Sequence, residues 1–265
     1  MPEKSVMPVG REALPSRRTV VRTAAWTLPA VTALSAAPAF ATTPGACTTY
    51  TVASVPFFSG TSTVGGTRRS TWSMSTTGTG APMPLLVSAA ATTTGDVRLG
   101  GSQSSTTNDN FRGYANVGGV GQGLCLHQAR TTTSGTPARD HRVAYKFTFA
   151  QPVKNLSFYI TDIDYGSNDY SDRVELSGAF TVSRPFTNND VSGAGTVADP
   201  LRPSGTNAHN DWNSSRGTVL VTYAGEVTEF TLTYWNALTS MSGSVDRDQA
   251  VYVAGMKFDY EICTS

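Results

Sequence analysis

Residues 256–262 read MKFDYEI, and apolar and charged side chains alternate along the whole stretch. The apolar residues occupy the even positions and the charged residues the odd ones. Successive side chains of a β-strand point to opposite faces of a sheet, so this period of two residues is typical of a strand with one buried and one solvated face. The stretch therefore predicts a β-strand at the end of the chain.

The same alternation recurs along much of the chain. Strand candidates lie at 143–149, 156–160, 174–176, 219–223 and 230–234, with further ones at 50–58 and 85–91. Clusters of Gly, Asn, Asp, Ser and Pro separate them and predict turns or loops at 60–66, 100–110, 166–168 and 199–213. Many short alternating strands favour packed antiparallel sheets. We therefore predict an all-β fold, an antiparallel β-sandwich or jelly roll, in which 60–140 holds either long loops or weak edge strands.

A different signature occupies the N-terminus. The motif SRRTVVR at 16–22 resembles the twin-arginine export signal, with Arg17 and Arg18 as the arginine pair and Val in place of the usual Phe and Leu. This resemblance implies recognition by the twin-arginine translocase and export of a domain that has already folded. The Ala- and Pro-rich style of the segment is similar to that of exported proteins of high-GC Gram-positive bacteria. An amphipathic N-terminal helix is the alternative.

The residues after this motif predict a cleavage site. The apolar stretch 24–37 is too short to span a bilayer, which needs about 20 apolar residues. Ala39 and Ala41 then form the small-x-small pattern that signal peptidase cuts. We expect a cleavable signal at 1–41 and a single β-sandwich domain at 42–265.

The charge distribution argues against polyanionic partners. The net charge is +1 for the whole chain, but 1–41 holds five basic and two acidic residues, so the remainder carries −2. No basic stripe is left to neutralise a phosphate backbone, and no polybasic patch is left to hold a membrane surface. We therefore expect neither nucleic acid nor a membrane as partner, and no transmembrane segment.

The ends of the mature chain bear on its destination. Pro44 stands where a lipidation box needs an aliphatic residue, and the sequence stops at Ser265 just after a strand, without a hydrophobic tail. We expect a secreted, extracellular protein that is either released or associated non-covalently with the cell wall.

Three cysteines follow the signal, which allows one disulfide or none. Cys47 and Cys263 lie just outside the first and last apolar strands, and pairing of these strands would bring them together. We predict a disulfide between them, with three unpaired thiols as the alternative. Cys125 lies between Leu124 and Leu126 and is expected to be a buried thiol rather than a nucleophile.

The acidic segment after the strand at 156–160 carries the best candidate chemistry. The period of two residues places Asp162 and Asp164 on the inward face, and Asp172 joins them from the returning strand of a hairpin, with Asp169 in the turn. Clustered carboxylates repel one another unless a cation or several donors compensate. Calcium, which takes six to eight oxygen ligands, is the predicted structural ion. The alternative is that these residues cap turn amides or pair with a neighbouring arginine.

Aromatic and polar side chains surround this segment. Aromatic faces beside fixed polar groups are what a sugar ring needs, and the candidate ligand-binding residues are Tyr165, Tyr170, His209, Asp211 and Trp212. Over about 140–263 the pattern is similar in outline to calcium-stabilised jelly rolls that bind carbohydrate. In the alternative interpretation, Trp212 folds back as a lid on the sandwich edge.

The sequence supports catalysis less well than binding. The sequence contains no G-x-S-x-G elbow, no H-E-x-x-H and no nucleotide loop. We therefore favour a secreted, non-enzymatic module that binds an extracellular glycan or cell-wall polymer. Two alternatives stay open: a structural cell-surface protein without a small ligand, and a polysaccharide-cleaving enzyme that uses loop carboxylates such as Asp164 and Glu175.

Overall fold

The structure is a computed structural model, and it describes the chain in six segments. These segments are 45–65, 68–99, 110–131, 138–205, 211–238 and 249–264. The predicted export signal, including Arg17, Arg18, Ala39 and Ala41, lies outside the described residues and stays a prediction.

The described segments consist of strands and one short 3-10 helix at Phe57–Ser59. The first eight strands are β1 (Cys47–Val52), β2 (Thr61–Gly65), β3 (Arg68–Thr76), β4 (Leu85–Thr94), β5 (Val97–Leu99), β6 (Gly113–Tyr114), β7 (Gly123–Arg130) and β8 (Arg142–Thr161). The other eight are β9 (Tyr165–Gly166), β10 (Tyr170–Leu176), β11 (Phe180–Ser183), β12 (Val191–Ser192), β13 (Arg202–Pro203), β14 (Val219–Tyr223), β15 (Val227–Asn236) and β16 (Gln249–Cys263).

Fourteen of these strands form one continuous antiparallel sheet, and β12 pairs separately with β13. The long strand β8 joins two layers. Its first half pairs with β4 and β15, and its second half pairs with β14 and β16. The first layer runs β2-β3-β4-β8-β15-β10-β9, and the second places β11 on β14 and both β1 and β7 on β16. The predicted all-β sandwich is confirmed.

Alternation along β8 and β15 builds the core between the layers. Phe147 lies in the first half of β8, Phe158 in the second half and Phe230 in β15, and all three are buried. The ring of Phe230 stacks on the other two with centroids 4.8 Å apart in each case. Burial of each such ring contributes about 2 kcal/mol. This stack therefore ties the two layers together at the centre of the sandwich.

The terminal strands close the fold as expected. β1 runs antiparallel to β16, and the register places Cys47 opposite Cys263. The two residues form the predicted disulfide. The even positions of 256–262 face the core, where Met256, Phe258 and Tyr260 are buried.

Three local predictions were wrong. The strand candidates at 143–149 and 156–160 belong to one strand, whose pairing continues past an irregularity at Asn155; the φ of 52° at this residue shifts the buried positions from odd to even numbers. The turn predicted at 60–66 contains β2, whose pairing with β3 outweighs its Gly-rich composition. β10 does not form a hairpin with β8, because it pairs with β9 and β15 instead.

A second apolar cluster lies on the outer face of the second layer. Val117, Cys125, Tyr252 and Ala254 are buried there. The loop that covers them turns through Gly118, Gly119 and Gly121, which all have positive φ angles. Cys125 is buried, as its apolar neighbours predict. This loop positions the aromatic side chains of the candidate site.

Candidate binding site

The acidic segment begins where β8 ends. Asp162 has a φ of 66°, in the left-handed region that non-glycine residues rarely adopt. This turn of the backbone breaks the alternation, and Ile163, rather than Asp162, enters the core. The prediction that Asp162 continues the inward face of the strand was therefore wrong, because the period of two residues holds only while the chain stays extended.

Asp164 and Asp172 meet as the sequence predicts. The amide of Asp164 donates a hydrogen bond to Oδ2 of Asp172 at 3.1 Å, and the amide of Asp172 donates to the carbonyl of Asp164 at 3.1 Å. Both residues are buried. The contact closes the short turn that carries β9, so Asp172 acts in part as the backbone cap of the alternative interpretation.

The Asp172 carboxylate is held by donors on both oxygens. Besides the Asp164 amide on Oδ2, the Tyr234 hydroxyl donates to Oδ1 at 2.8 Å. Burial raises the pKa of Asp172 and the charge of Asp164 raises it further, whereas the two hydrogen bonds oppose this shift. Burial also raises the pKa of Tyr234, and the charges of Asp172 and Asp164 raise it further.

Asp162 is the least compensated of the acidic residues. It is partly buried, and its Oδ1 atom is enclosed without a hydrogen-bond partner among the described residues. Burial raises the pKa of Asp162 to about 8, with further contributions from the charges of Asp164 and Asp211. A carboxylate in this setting favours either a proton or a cation beside it. We refer to Asp162, Asp164 and Asp172 as the acidic edge.

Asp169 contributes backbone hydrogen bonds to the turn in which the sequence places it. It lies in the turn between β9 and β10, where its amide donates to the carbonyl of Gly166 at 3.1 Å. Its own carbonyl accepts a hydrogen bond from Nδ2 of Asn236 at 3.1 Å. Within the described segments, no group of three or more His, Cys, Asp or Glu side chains is arranged to hold a metal ion. The calcium site at Asp162, Asp164, Asp169 and Asp172 therefore stays a prediction.

An aromatic pair lies on the outer face of the second layer. Trp212 is 46% exposed, and its ring centroid lies 6.0 Å from that of Tyr114. Tyr114 contacts the buried Tyr252 edge to face at 5.2 Å, and the guanidinium of Arg112 lies 5.3 Å from the Tyr114 ring centroid. We call Trp212 and Tyr114 the aromatic platform. Tyr252 supports this platform from below.

A backbone contact of the Gly-rich loop brings the aromatic platform close to the acidic edge. The amide of Gly118 donates to the carbonyl of Trp212 at 3.0 Å. A Cβ atom at Gly118 would collide with the side chain of Thr161, so this backbone approaches the end of β8 closely. Asp211, which precedes Trp212, acts electrostatically on Asp162. The segment that carries the exposed indole therefore lies close to Asp162, whose Oδ1 atom has no hydrogen-bond partner among the described residues.

The remaining predicted ligand-binding residues, Tyr165, Tyr170 and His209, do not belong to the aromatic platform as described. Tyr170 is half-buried, and its hydroxyl is hydrogen bonded to Asp164, so it belongs to the acidic edge rather than to an open face. Tyr165 is half-buried and pairs with Ser171 in the turn strand. His209 lies outside the described residues.

Asp164 and Glu175, the carboxylates considered for glycoside cleavage, do not face one another. Glu175 is buried, and both of its oxygens bind Arg139, at 2.7 Å to Nε and 2.7 Å to Nη2. Along β10, Glu175 alternates with Asp172 and Val174 and so projects from the opposite face of the strand. Asp164 contacts Asp172, on the other side.

Sequence reasoning missed Tyr114, Tyr252 and Arg112. Tyr114 stands in a Gly-rich stretch without alternation, so no local period indicates its orientation. Tyr252 and Trp212 are 40 positions apart in the chain, and only the packing of the loop over β16 brings both to Tyr114. The phase of 256–262 would even place Tyr252 in the core, but the positive φ of Gly255 shifts the alternation, so that Val251 and Val253 enter the core and Tyr252 faces outward.

Comparisons with known proteins place the chain in no family. No protein-family model matches it, and no curated protein matches it significantly. Among solved structures, it is similar to the adhesin domain of PrgB from Enterococcus faecalis bound to DNA, with a TM-score of 0.40 and 8% sequence identity. The match covers 70% of this chain and 66% of that one, which is just under two thirds of its length. A likeness this distant carries no argument about function.

The part of the chain that the structure describes holds no helix long and apolar enough to cross a membrane.

Proposed function

We propose that the protein is a secreted binding module for an extracellular polymer, with carbohydrate as the ligand class. The observation that carries the proposal is the exposed ring of Trp212 against Tyr114, beside the acidic edge. Indole and phenol faces stack on the C–H faces of sugar rings, and the exposed carboxylate of Asp211, next to Trp212, can accept hydrogen bonds from sugar hydroxyls.

The platform suits binding rather than turnover. Tyr114 contacts Tyr252 edge to face, and the guanidinium of Arg112 lies over the Tyr114 ring, so this ring is positioned before any ligand arrives. A ring fixed in advance loses little conformational entropy on binding. The ion pair of the buried Glu175 with Arg139 further weakens the alternative of a paired-carboxylate hydrolase.

A calcium ion at the acidic edge is part of the proposal. It is supported by the enclosed and unpaired Oδ1 of Asp162, whose charge Asp164 and Asp211 both disfavour. Bound there, a divalent cation would neutralise the repulsion and hold the end of β8 next to the platform. Asp172 is less suited as a ligand, because both of its oxygens already accept hydrogen bonds.

Retention of the mature domain on insoluble glycans tests the proposal. We expect the wild-type domain to be retained on at least one of cellulose, chitin, xylan or peptidoglycan, and Trp212→Ala to be released. Tyr223→Phe is a matched control, because it alters a tyrosine in the second layer that takes no part in the platform. Duplex DNA belongs in the same assay, since the expectation of no nucleic-acid binding also stays a prediction.

Failure of the wild-type domain across a broad glycan array would exclude carbohydrate as the ligand. The structural cell-surface protein without a small ligand would then be favoured. Soluble sugar released from the polymer, and lost in Asp164→Asn, would favour the enzyme instead.

A further inference from the structure

A group of polar side chains faces the interior of the sandwich where β5, β7 and β16 run side by side. Leu124 and Leu126 of β7 belong to the core, and the alternation continues this face to Gln128 and Arg130. Gln249 of β16 stands directly opposite Gln128 in the register. Three polar side chains therefore lie at one end of a face that is otherwise formed by leucine and valine.

These side chains are enclosed, and most of their polar atoms have no hydrogen-bond partner among the described residues. Arg130 is 3% exposed, Gln128 is 1% exposed and Gln249 is 4% exposed. Among the described residues, nothing bonds the Nε, Nη1 and Nη2 atoms of Arg130, both amide atoms of Gln128, or Nε2 of Gln249. Enclosing a guanidinium without a partner costs several kcal/mol or more, and proteins rarely tolerate it without an ion or water in contact.

The neighbours of the group do not neutralise it. On β5, the residues opposite Arg130 and Gln128 are Val97 and Leu99, which are both apolar and buried. The charge of Asp96 acts on Arg130 from the end of β5, but burial outweighs it and lowers the pKa of Arg130. The Asp96 side chain itself is 55% exposed and lies 3.8 Å from His141.

The donor set specifies the chemistry of a ligand. A guanidinium offers a planar fork of N–H groups that fits two oxygens of an oxyanion. Opposed residues of an antiparallel pair, such as Gln128 and Gln249, have Cβ atoms about 5 Å apart. Residues two apart on one strand, such as Gln128 and Arg130, are about 7 Å apart. The two amides and the Arg130 guanidinium can therefore meet at one small ion.

We propose that Arg130, Gln128 and Gln249 form an internal binding site for a small oxyanion, either a carboxylate or a tetrahedral ion such as sulfate. The apolar walls of Val97 and Leu99 and the enclosure exclude a polymer. The site is separate from the aromatic platform, which lies on the outer face of the same layer.

Thermal unfolding at constant ionic strength tests the site, with sulfate, acetate or chloride as the probe. Sulfate stabilises many proteins non-specifically, so the diagnostic result is a saturable rise in the melting temperature at low millimolar concentration. We expect sulfate or acetate to produce this rise in the wild type, and chloride not to. In Arg130→Met the affinity should fall at least about tenfold.

The matched control is Lys146→Met, which removes one positive charge from a half-exposed residue paired with Glu229. It should keep the saturable response. An equal response of Arg130→Met and the wild type would overturn the proposal. Equilibrium dialysis of the wild type with radiolabelled sulfate and acetate gives an answer even if the variant does not fold, because absence of saturable binding of both ions also overturns it.

Discussion

The amide of Asp164 donates a hydrogen bond to Oδ2 of Asp172, 3.1 Å away, and joins two buried carboxylate residues that a sharp turn separates in the chain. One acid thus caps the backbone of the other. The carboxylate left without such compensation is Asp162 at the end of β8, where Oδ1 is enclosed and has no hydrogen-bond partner among the described residues.

The stability of the protein should fall as the pH rises from about 4 to about 8 through the titration of Asp162. Its pKa of about 8 in the folded protein lies above the 3.8 of the unfolded chain, so the folded state binds the proton more tightly in this window. The stabilisation is complete below pH 4 and lost above pH 8. Asp162→Asn should flatten the slope and raise the free energy of unfolding at pH 9 by about 1 to 3 kcal/mol. Urea unfolding at several pH values measures this, and an unchanged slope would contradict it.

Calcium should raise the melting temperature at pH 8 by several degrees, because a cation at the acidic edge removes the cost of ionising Asp162. Asp162→Asn should reduce the shift, whereas Asp199→Asn, which removes a carboxylate from a surface ion pair with Arg202, should leave it intact. Scanning calorimetry with calcium and with chelator is the measurement. Identical curves in the two would remove calcium from the proposed function.

Tyr234→Phe should destabilise the protein by about 1 to 3 kcal/mol, since the buried Oδ1 of Asp172 loses its donor. In an Asp172→Ala background the same change should cost much less. A double-mutant cycle in urea measures the coupling between the two residues. Additive effects would mean that Tyr234 contributes through packing alone.

Removal of the disulfide should lower the free energy of unfolding by about 3 to 5 kcal/mol, because Cys47 and Cys263 are 216 positions apart and their link restricts the unfolded chain strongly. The double variant Cys47→Ser, Cys263→Ser should still fold, since β1 keeps its pairing with β16. Denaturant unfolding with and without reductant checks this. The double variant should be insensitive to reductant.

Trp212→Ala should change the free energy of unfolding by less than about 1 kcal/mol, because nearly half of the side chain is exposed. Tyr252→Ala should cost about 3 to 5 kcal/mol, since Tyr252 is buried beneath Tyr114. Paired unfolding curves test this contrast. A large loss in Trp212→Ala would indicate that the indole is a lid of the sandwich rather than a contact surface.

The sequence alone determined the class of fold and several faces of its strands. Alternation in 256–262 identifies the core residues in the second half of β16, because the direction of a side chain in a regular strand depends only on the local pleat. The same period at both ends of the chain was sufficient to predict the link between Cys47 and Cys263. Asp164 and Asp172 also meet as predicted, since a short turn separates them.

Tertiary structure decided which strands are neighbours and which side chains meet across them. β10 joins β15 rather than β8, Asp162 leaves the phase of its strand at a positive φ, and Tyr114 lies between Trp212 and Tyr252. The enclosure of Arg130 depends likewise on the packing of β5 and β16 beside β7. Alternation assigns each residue to a face, but contacts between distant segments follow from the packing of whole faces against one another, and no local period encodes that choice.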